Sequence, residues 1–449
     1  MSWASRGNLP YKAEADRLEY PHVLQLKQME CRLAQEQEPK QNQNQEIVLI
    51  NVSGRDKPGL MSVLTEILDQ YDAQLLDIGQ AVIHEDLALG LLVSVAAEQS
   101  GGLVKDTMFH ANEVGSTVRI SNVSQDEYAA WLEASGQTRY IITLLSAGSG
   151  SGPLLAVSTI TRKFSLNIDT VRRLTDRGAK EGEQAKFCVE MRVRGEISDM
   201  GALESDLLEV AEALNFDFSV QEDTVFRRNR RLVAFDMDST LIRQEVIDEL
   251  AMRHGVGDQV VAITEDAMAG KIDFQESFRR RAALLKGMPV SVLDEVARSV
   301  ELTQGARRLL QALRHFGYKT AVISGGFQYV GEKLAEDLGI DYVFANTLSV
   351  ADGVMTGEVE GRIVDASRKA ELLRETADRE GIALAQTIAI GDGANDLPML
   401  ISAGLGVAFH AKRVVRESAQ HAISNFGLDA VLYLIGFSDR DIDQALSAE

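Results

Sequence analysis

A chain of 449 residues predicts two to four domains, and 45% hydrophobic with 25% charged residues is the balance of a globular protein able to bury real cores. A net charge of −21 argues against nucleic acid and anionic membranes as partners; a small anionic substrate stays open, because a local cation or metal outweighs distant acidic surface. The two cysteines, Cys31 and Cys188, form no C-x-x-C pair, no apolar run reaches membrane-spanning length, and residues 1–46 hold no apolar signal core, so a cytoplasmic setting is expected.

Residues 1–45 are polar and end in a Gln/Asn-rich run, which reads as a flexible extension in which residues 11–29 could form a short helix. Residues 47–52 then read as a strand, Gly54-Arg55-Asp56-Lys57-Pro58-Gly59 as a turn, and residues 60–71 as a helix with apolar positions at Leu60, Val63, Leu64, Ile67 and Leu68. Two strands follow over residues 74–83 and 87–95, around His84-Glu85-Asp86. A similar order restarts near Tyr140: a strand over 140–145, a Gly/Ser-rich loop over 148–153, a helix over 154–164, strands over 171–175 and 187–193, and a helix over 200–214. This predicts two α+β repeats, spanning residues 46–125 and 138–222.

From Arg231 the texture changes. Leu232-Val233-Ala234-Phe235, Thr320-Ala321-Val322-Ile323 and Thr387-Ile388-Ala389-Ile390 are continuous apolar runs separated by helical segments, the pattern of buried parallel strands in a doubly wound α/β domain, here expected over residues 230–440. Ligands in such folds bind beyond the carboxyl ends of the strands. The first run ends in Asp236-Met237-Asp238, two carboxylates close enough to need a cation or a shared proton. The second ends in Ser324-Gly325-Gly326, a hydroxyl with open backbone N–H groups that suits an anion if a helix begins there. Lys369 stands early in a helix, where a cation is unfavourable unless it reaches an anion; alone it is a surface lysine. The third run ends in Gly391-Asp392-Gly393-Ala394-Asn395-Asp396, with further hard oxygen donors. Oxygen-only ligation of this kind suits Mg²⁺.

These four stations, in this order, resemble the haloacid dehalogenase superfamily, over about residues 231–434. Asp236-Met237-Asp238-Ser239-Thr240-Leu241, Val322-Ile323-Ser324-Gly325-Gly326-Phe327 and the segment between them are similar to the phosphoserine phosphatases of that superfamily. The resemblance implies a helical cap over about residues 243–302 and hydrolysis of O-phospho-L-serine to L-serine and phosphate, the last step of serine biosynthesis. It assigns Asp236 as nucleophile, Asp238 as general acid and base, and Lys369 as a catalytic and phosphate-binding cation. It places Mg²⁺ on Asp236, the main chain of Asp238 and Asp392, with Asp396 or Asn395 in support. It gives the phosphoryl group to Ser324 and Gly325, counts Asn395 among the substrate-binding residues, and gives the substrate ammonium to Glu245 and its carboxylate to Arg281, with Met268 and Phe274 lining the pocket. Arg279 and Arg280 compete with Arg281, and only the family register picks the last. Arginine grips a carboxylate bidentately and glutamate accepts from an ammonium, so the chemistry agrees. A phosphatase for another small ester or for phosphoproteins, and a non-catalytic amino-acid sensor, are the alternatives.

In front, the β-α-β-β order with Asp56-Lys57-Pro58-Gly59 resembles the ACT domain, a ferredoxin-like module that binds amino acids and pairs edge to edge. That implies a homodimer, with L-serine as the effector suggested by pathway logic. The second repeat lacks the D-x-P-G turn, which leaves ligand binding there open.

Overall fold

The computed structural model describes residues 45–148, 150–176, 185–419 and 421–447, so the helix expected over residues 11–29 lies outside the described residues. The chain divides into two compact units, Met1–Gly136 and Gln137–Glu449.

The first unit contains β1 (Gln45–Arg55), α1 (Leu60–Gln70), β2 (Gln74–Ile83), β3 (Asp86–Ala96), α2 (Ala97–Glu113), β4 (Thr117–Val123) and α3 (Gln125–Ser135). Its sheet runs β2-β3-β1-β4, antiparallel throughout, which is a ferredoxin-like arrangement. Alternate residues Val48, Ile50 and Val52 of β1 turn toward Leu60, Leu64, Ile67 and Leu68 of α1 and Leu103 of α2, so the period-two strand face meets the helical stripe in one core. Gly59 opens α1 with φ +101°, a conformation that glycine adopts without a Cβ penalty. The sequence reading lacked α2 and β4.

The second unit begins with the same order of elements: β5 (Arg139–Ala147), α4 (Ser151–Lys163), β6 (Asn167–Arg173), β7 (Lys186–Arg194), α5 (Met200–Leu214) and β8 (Phe216–Glu222). The strand expected over residues 171–175 thus lies earlier in the chain. After β9 (Leu232–Phe235) come four cap helices, α6 (Val246–His254), α7 (Gly257–Met268), α8 (Phe274–Ala283) and α9 (Ser291–Ser299). The chain continues through α10 (Ala306–His315), β10 (Lys319–Phe327), α11 (Gln328–Leu338) and the hairpin β11 (Tyr342–Ala351) and β12 (Val354–Glu360). It closes with α12 (Ala366–Glu380), β13 (Thr387–Gly391), α13 (Leu397–Ser402), β14 (Leu405–Phe409), α14 (Arg413–Ser418), β15 (His421–Ile423), α15 (Val431–Leu434) and α16 (Asp439–Ser447).

All these strands form one sheet of 11 strands, ordered β12-β11-β10-β9-β13-β14-β15-β8-β5-β7-β6. From β11 to β15 it is parallel. Both faces are covered: Val233 and Phe235 of β9 enter one core and Leu232 and Ala234 the other, which is why the strand is apolar without alternation. The second repeat joins this sheet through β8, which lies antiparallel to β15. Asp217 on β8 secures the seam by accepting from the backbone N–H groups of Ser424 (2.9 Å) and Asn425 (3.1 Å). Cys188 on β7 is buried in the larger core, where burial pushes its thiol pKa up and leaves it inert.

The two chain crossings into the cap are held together. Ile242 bridges Leu302, and the N–H of Arg243 donates to the carbonyl of Glu301 at 2.9 Å. The cap also rests on the β11–β12 hairpin through the N–H of Gly287 to the carbonyl of Met355, at 2.8 Å.

Candidate active site

β9 lies between β10 and β13, parallel to both. The chain leaves β9 toward one side of the sheet and later returns to the other, which opens a crevice at the carboxyl end of β9. Asp236 stands there, 4% exposed, with its N–H donating to the carbonyl of Ile390 at 2.8 Å. Lys369, wholly buried on the first turn of α12, donates to Asp236 Oδ2 at 2.8 Å and to Asp396 Oδ1 at 2.6 Å. Asp396 also accepts from the N–H of Gly393 at 3.0 Å. The lysine's position at a helix start is thereby explained: it reaches two anions.

One carboxylate oxygen each from Asp236, Asp392 and Asp396 lies within 4.8 Å of the others. Three carboxylates around one ammonium leave an excess of negative charge and a set of hard oxygen donors, which fits a divalent cation such as Mg²⁺. Burial and then the neighbouring Asp236 push Asp392 up to about 6. Lys369 is held protonated by Asp236 and Asp396 against its own burial. Thr240 Oγ1 donates to Asp392 Oδ1 at 3.1 Å and so orients it, a role that sequence reading did not assign.

Asp238 lines the same crevice and is held from the cap side. Its Oδ1 accepts from the N–H of Val246, the first residue of α6, at 3.0 Å. Its Oδ2 packs on Gly326, where a Cβ would come within 2.3 Å of that oxygen, so only glycine fits. Burial, then Glu245 and Asp236, raise the Asp238 pKa well above the usual carboxylate range. The turn just past the two aspartates is tight, with Ser239 at φ +56°, and the Ser239 hydroxyl donates to Glu245 Oε1 at 2.8 Å. Burial raises Glu245 as well.

Above these strand ends is a cavity of about 500 Å³. Asp236, Asp238, Glu245, Arg281, Ser324 and Gly325 line it, together with Asp392, Asn395, Met268 and Phe274. Lys369 lies below, reached through Asp236. Arg281 is the residue of its trio that enters the cavity; Arg279 bonds Gln275 at 3.3 Å and Arg280 bonds Glu276 at 2.7 Å. Ser324 is fully buried and its Oγ accepts from the N–H of Gly326 at 2.9 Å. The Ser324–Gly326 segment is an irregular strand end, and the N-cap of α11 is Phe327, so the expected helix-terminal cradle is a bulged strand instead. Asn346 fixes it, donating to the carbonyl of Gly325 at 2.8 Å while accepting from the N–H of Val364 at 2.8 Å. Met268 sits at the rim, 71% exposed. Asp248, Ser277 and Phe278 also line the cavity, and sequence reading gave them no role. For Ser277 and Phe278 the signal was helical spacing, since Phe274, Ser277, Phe278 and Arg281 share one face of α8, whereas Asp248 stands on α6.

A buried aspartate pair at the switch point of a doubly wound sheet, a lysine beneath it and an oxygen-rich group able to hold a cation suit a phosphate-transferring hydrolase. Residues 233–400 match the haloacid dehalogenase-like hydrolase family, and residues 46–121 match the ACT domain. A phosphoserine phosphatase of Mycobacterium tuberculosis is 40% identical over 400 residues, covering 89% of this chain and 95% of that protein. One from Streptomyces coelicolor is 39% identical over 404 residues, covering 89% and 94%. Among solved structures, a haloacid dehalogenase family hydrolase of Salmonella enterica serovar Typhi aligns with TM-score 0.57 at 33% identity, over 66% of this chain and 99% of that one. A probable phosphoserine phosphatase of Vibrio cholerae, unliganded, gives TM-score 0.54 at 32% identity, over 69% and 89%. The chain belongs to the phosphoserine phosphatase family of haloacid dehalogenase-like hydrolases, with an ACT domain in front. No helix among the described residues is long and apolar enough to cross a membrane.

Proposed function

We propose that the protein hydrolyses O-phospho-L-serine to L-serine and phosphate, completing serine synthesis in the cytoplasm. The observation that carries the chemistry is the division of labour between Asp236 and Asp238. Asp236 is ion-paired with Lys369, whereas burial and its carboxylate neighbours favour the protonated form of Asp238. In the first step an Oδ of Asp236 attacks phosphorus and the bond from phosphorus to the serine oxygen breaks. Asp238 gives its proton to the departing oxygen. In the second step Asp238, now a carboxylate, takes a proton from the water that attacks the aspartyl-phosphate. The acyl phosphate bond then breaks, freeing phosphate and restoring Asp236.

Lys369 balances charge on Asp236 throughout, and Ser324, the Gly325 N–H and Asn395 hold phosphoryl oxygens. Asp236, Asp392 and the main chain of Asp238 would hold a divalent cation, with Asp396 in support. Mg²⁺ bound there would neutralise phosphoryl oxygens and so assist transfer. Glu245 accepts from the substrate ammonium and Arg281 donates to its carboxylate, beneath a cap that excludes bulk water. Residues 230–440 would form this catalytic domain, with the cap over residues 243–302. The repeats at 46–125 and 138–222 would serve regulation, with L-serine as effector and a homodimer paired through ACT-like edges.

The test is phosphate release from O-phospho-L-serine with Mg²⁺, against EDTA, with phosphothreonine, sugar phosphates and a phosphopeptide in parallel. Fast release that EDTA abolishes and that is confined to phosphoserine is expected. Equal rates on the other esters would discard Glu245 and Arg281 as the specificity pair.

A further inference from the structure

Ser277 is 1% exposed and lines the cavity, yet its hydroxyl has no hydrogen-bond partner. Helical hydroxyls usually turn back to a carbonyl one turn earlier, as those of Thr264 (to Val260, 3.0 Å) and Ser299 (to Val296, 3.0 Å) do in the cap itself. A buried hydroxyl left without a partner is costly, so one inside a binding cavity points to a ligand atom that completes it. Arg281, one turn further along the same face of α8, has a buried Nε that is likewise without a partner.

The charges around the cavity decide which ligand atom this is. Asp236, Asp238, Glu245, Asp248 and Asp392 all line it, so acceptors for an ammonium are plentiful. Arg281 is the one cation among the lining residues, so a substrate carboxylate has few donors. A carboxylate seated on Arg281 has lone pairs to spare, and the Ser277 hydroxyl is a donor on the neighbouring turn. We propose that Ser277 is a specificity-determining residue whose hydroxyl donates to the substrate carboxylate beside Arg281. This rests on the phosphoserine reading above and adds to it a second carboxylate donor.

The test compares wild-type enzyme with Ser277→Ala and Ser277→Cys on three esters. These are O-phospho-L-serine, O-phosphoethanolamine (the same ester and ammonium without the carboxylate) and p-nitrophenyl phosphate. Ser277→Ala should lower kcat/KM for phosphoserine about tenfold, the scale of one hydrogen bond to a charged group. The loss should fall on KM, with kcat and both other esters within twofold. Cysteine, a weak donor, should fall between. Because the alanine removes an unsatisfied buried hydroxyl, the ligand-free variant should melt about 2 °C higher than wild type. Equal losses on all three esters, or no loss on phosphoserine, would overturn the assignment. A wild-type enzyme that turns over p-nitrophenyl phosphate but not phosphoserine would instead overturn the functional reading, and this inference with it.

Discussion

The floor and the roof of the cavity are built on different principles. The floor consists of strand ends and the turns just beyond them: Asp236, Ser324, Asp392 and, beneath, Lys369 on α12. Asp236, Ser324, Lys369 and Asp396 are all 4% exposed or less, and each is fixed by backbone or by an ion pair. The roof consists of side chains on cap helices. Met268 there is 71% exposed, and Arg281 and Ser277 carry unpaired polar atoms. A rigid, fully bonded floor suits a reaction centre whose charges must not reorganise, whereas an incompletely bonded roof suits recognition, since the ligand supplies the missing partners.

Floor substitutions should therefore harm every phosphate ester, and roof substitutions only those carrying an amino-acid group. Replacing Lys369 with Met should have the largest effect. It leaves Asp236 and Asp396 buried without their cation, which should cost about 3–5 kcal/mol in chemical denaturation. Turnover of phosphoserine and p-nitrophenyl phosphate should both fall by about a thousandfold or more. Arg281→Met comes next: kcat/KM for phosphoserine should drop about a hundredfold, from roughly 3 kcal/mol of charge-assisted hydrogen bonding, with p-nitrophenyl phosphate nearly unaffected. Comparable losses on both esters would break the distinction.

Metal affinity is a smaller effect and belongs to the floor. Asp392 is pushed up to about 6, so it takes a proton as pH falls through that value and loses the charge a cation needs. Mg²⁺ affinity by calorimetry should be level above pH 7 and should weaken about tenfold at one pH unit below the transition. The smallest effect is expected at the rim, where Met268→Ala should change phosphoserine kinetics by about twofold or less, as for a surface position.

Asp236, Ser324 and Asp392 of the floor were legible in the sequence because they follow short, continuous apolar runs, whereas Lys369 gained its meaning only from the order of the four motifs. The roof was legible only in part. Glu245 and Arg281 came from resemblance, and no local signal separates Arg281 from its two arginine neighbours until α8 is wound and one face meets the cavity. Asp248 and Thr240 have ordinary local sequence and gain meaning from what lies across space.

The front of the chain gives a parallel lesson. α2 buries Ser100, Leu103, Thr107 and Ala111, a stripe too small and polar to stand out as amphipathic. β6 ends the large sheet and carries Asp169, Thr170, Arg172 and Arg173, so no apolar alternation marked where it begins. The seam between β8 and β15 was invisible as well, because a strand of three residues, His421–Ile423, has no pattern of its own. It pairs with residues some two hundred positions earlier. The two repeats share an order of elements, yet one keeps its own four-stranded sheet while the other extends the catalytic one. Local periodicity carries the order of elements but not the partner of an edge strand.

The most direct test of the central claim is to trap the intermediate. Enzyme mixed with labelled O-phospho-L-serine and Mg²⁺, quenched in acid within milliseconds and digested, should yield one phosphorylated peptide. That peptide should contain Asp236, carry the phosphoryl group as an acyl phosphate, and be absent from Asp236→Asn. A phosphoryl group on any other residue, or sustained phosphate release by Asp236→Asn at the wild-type rate, would contradict the account.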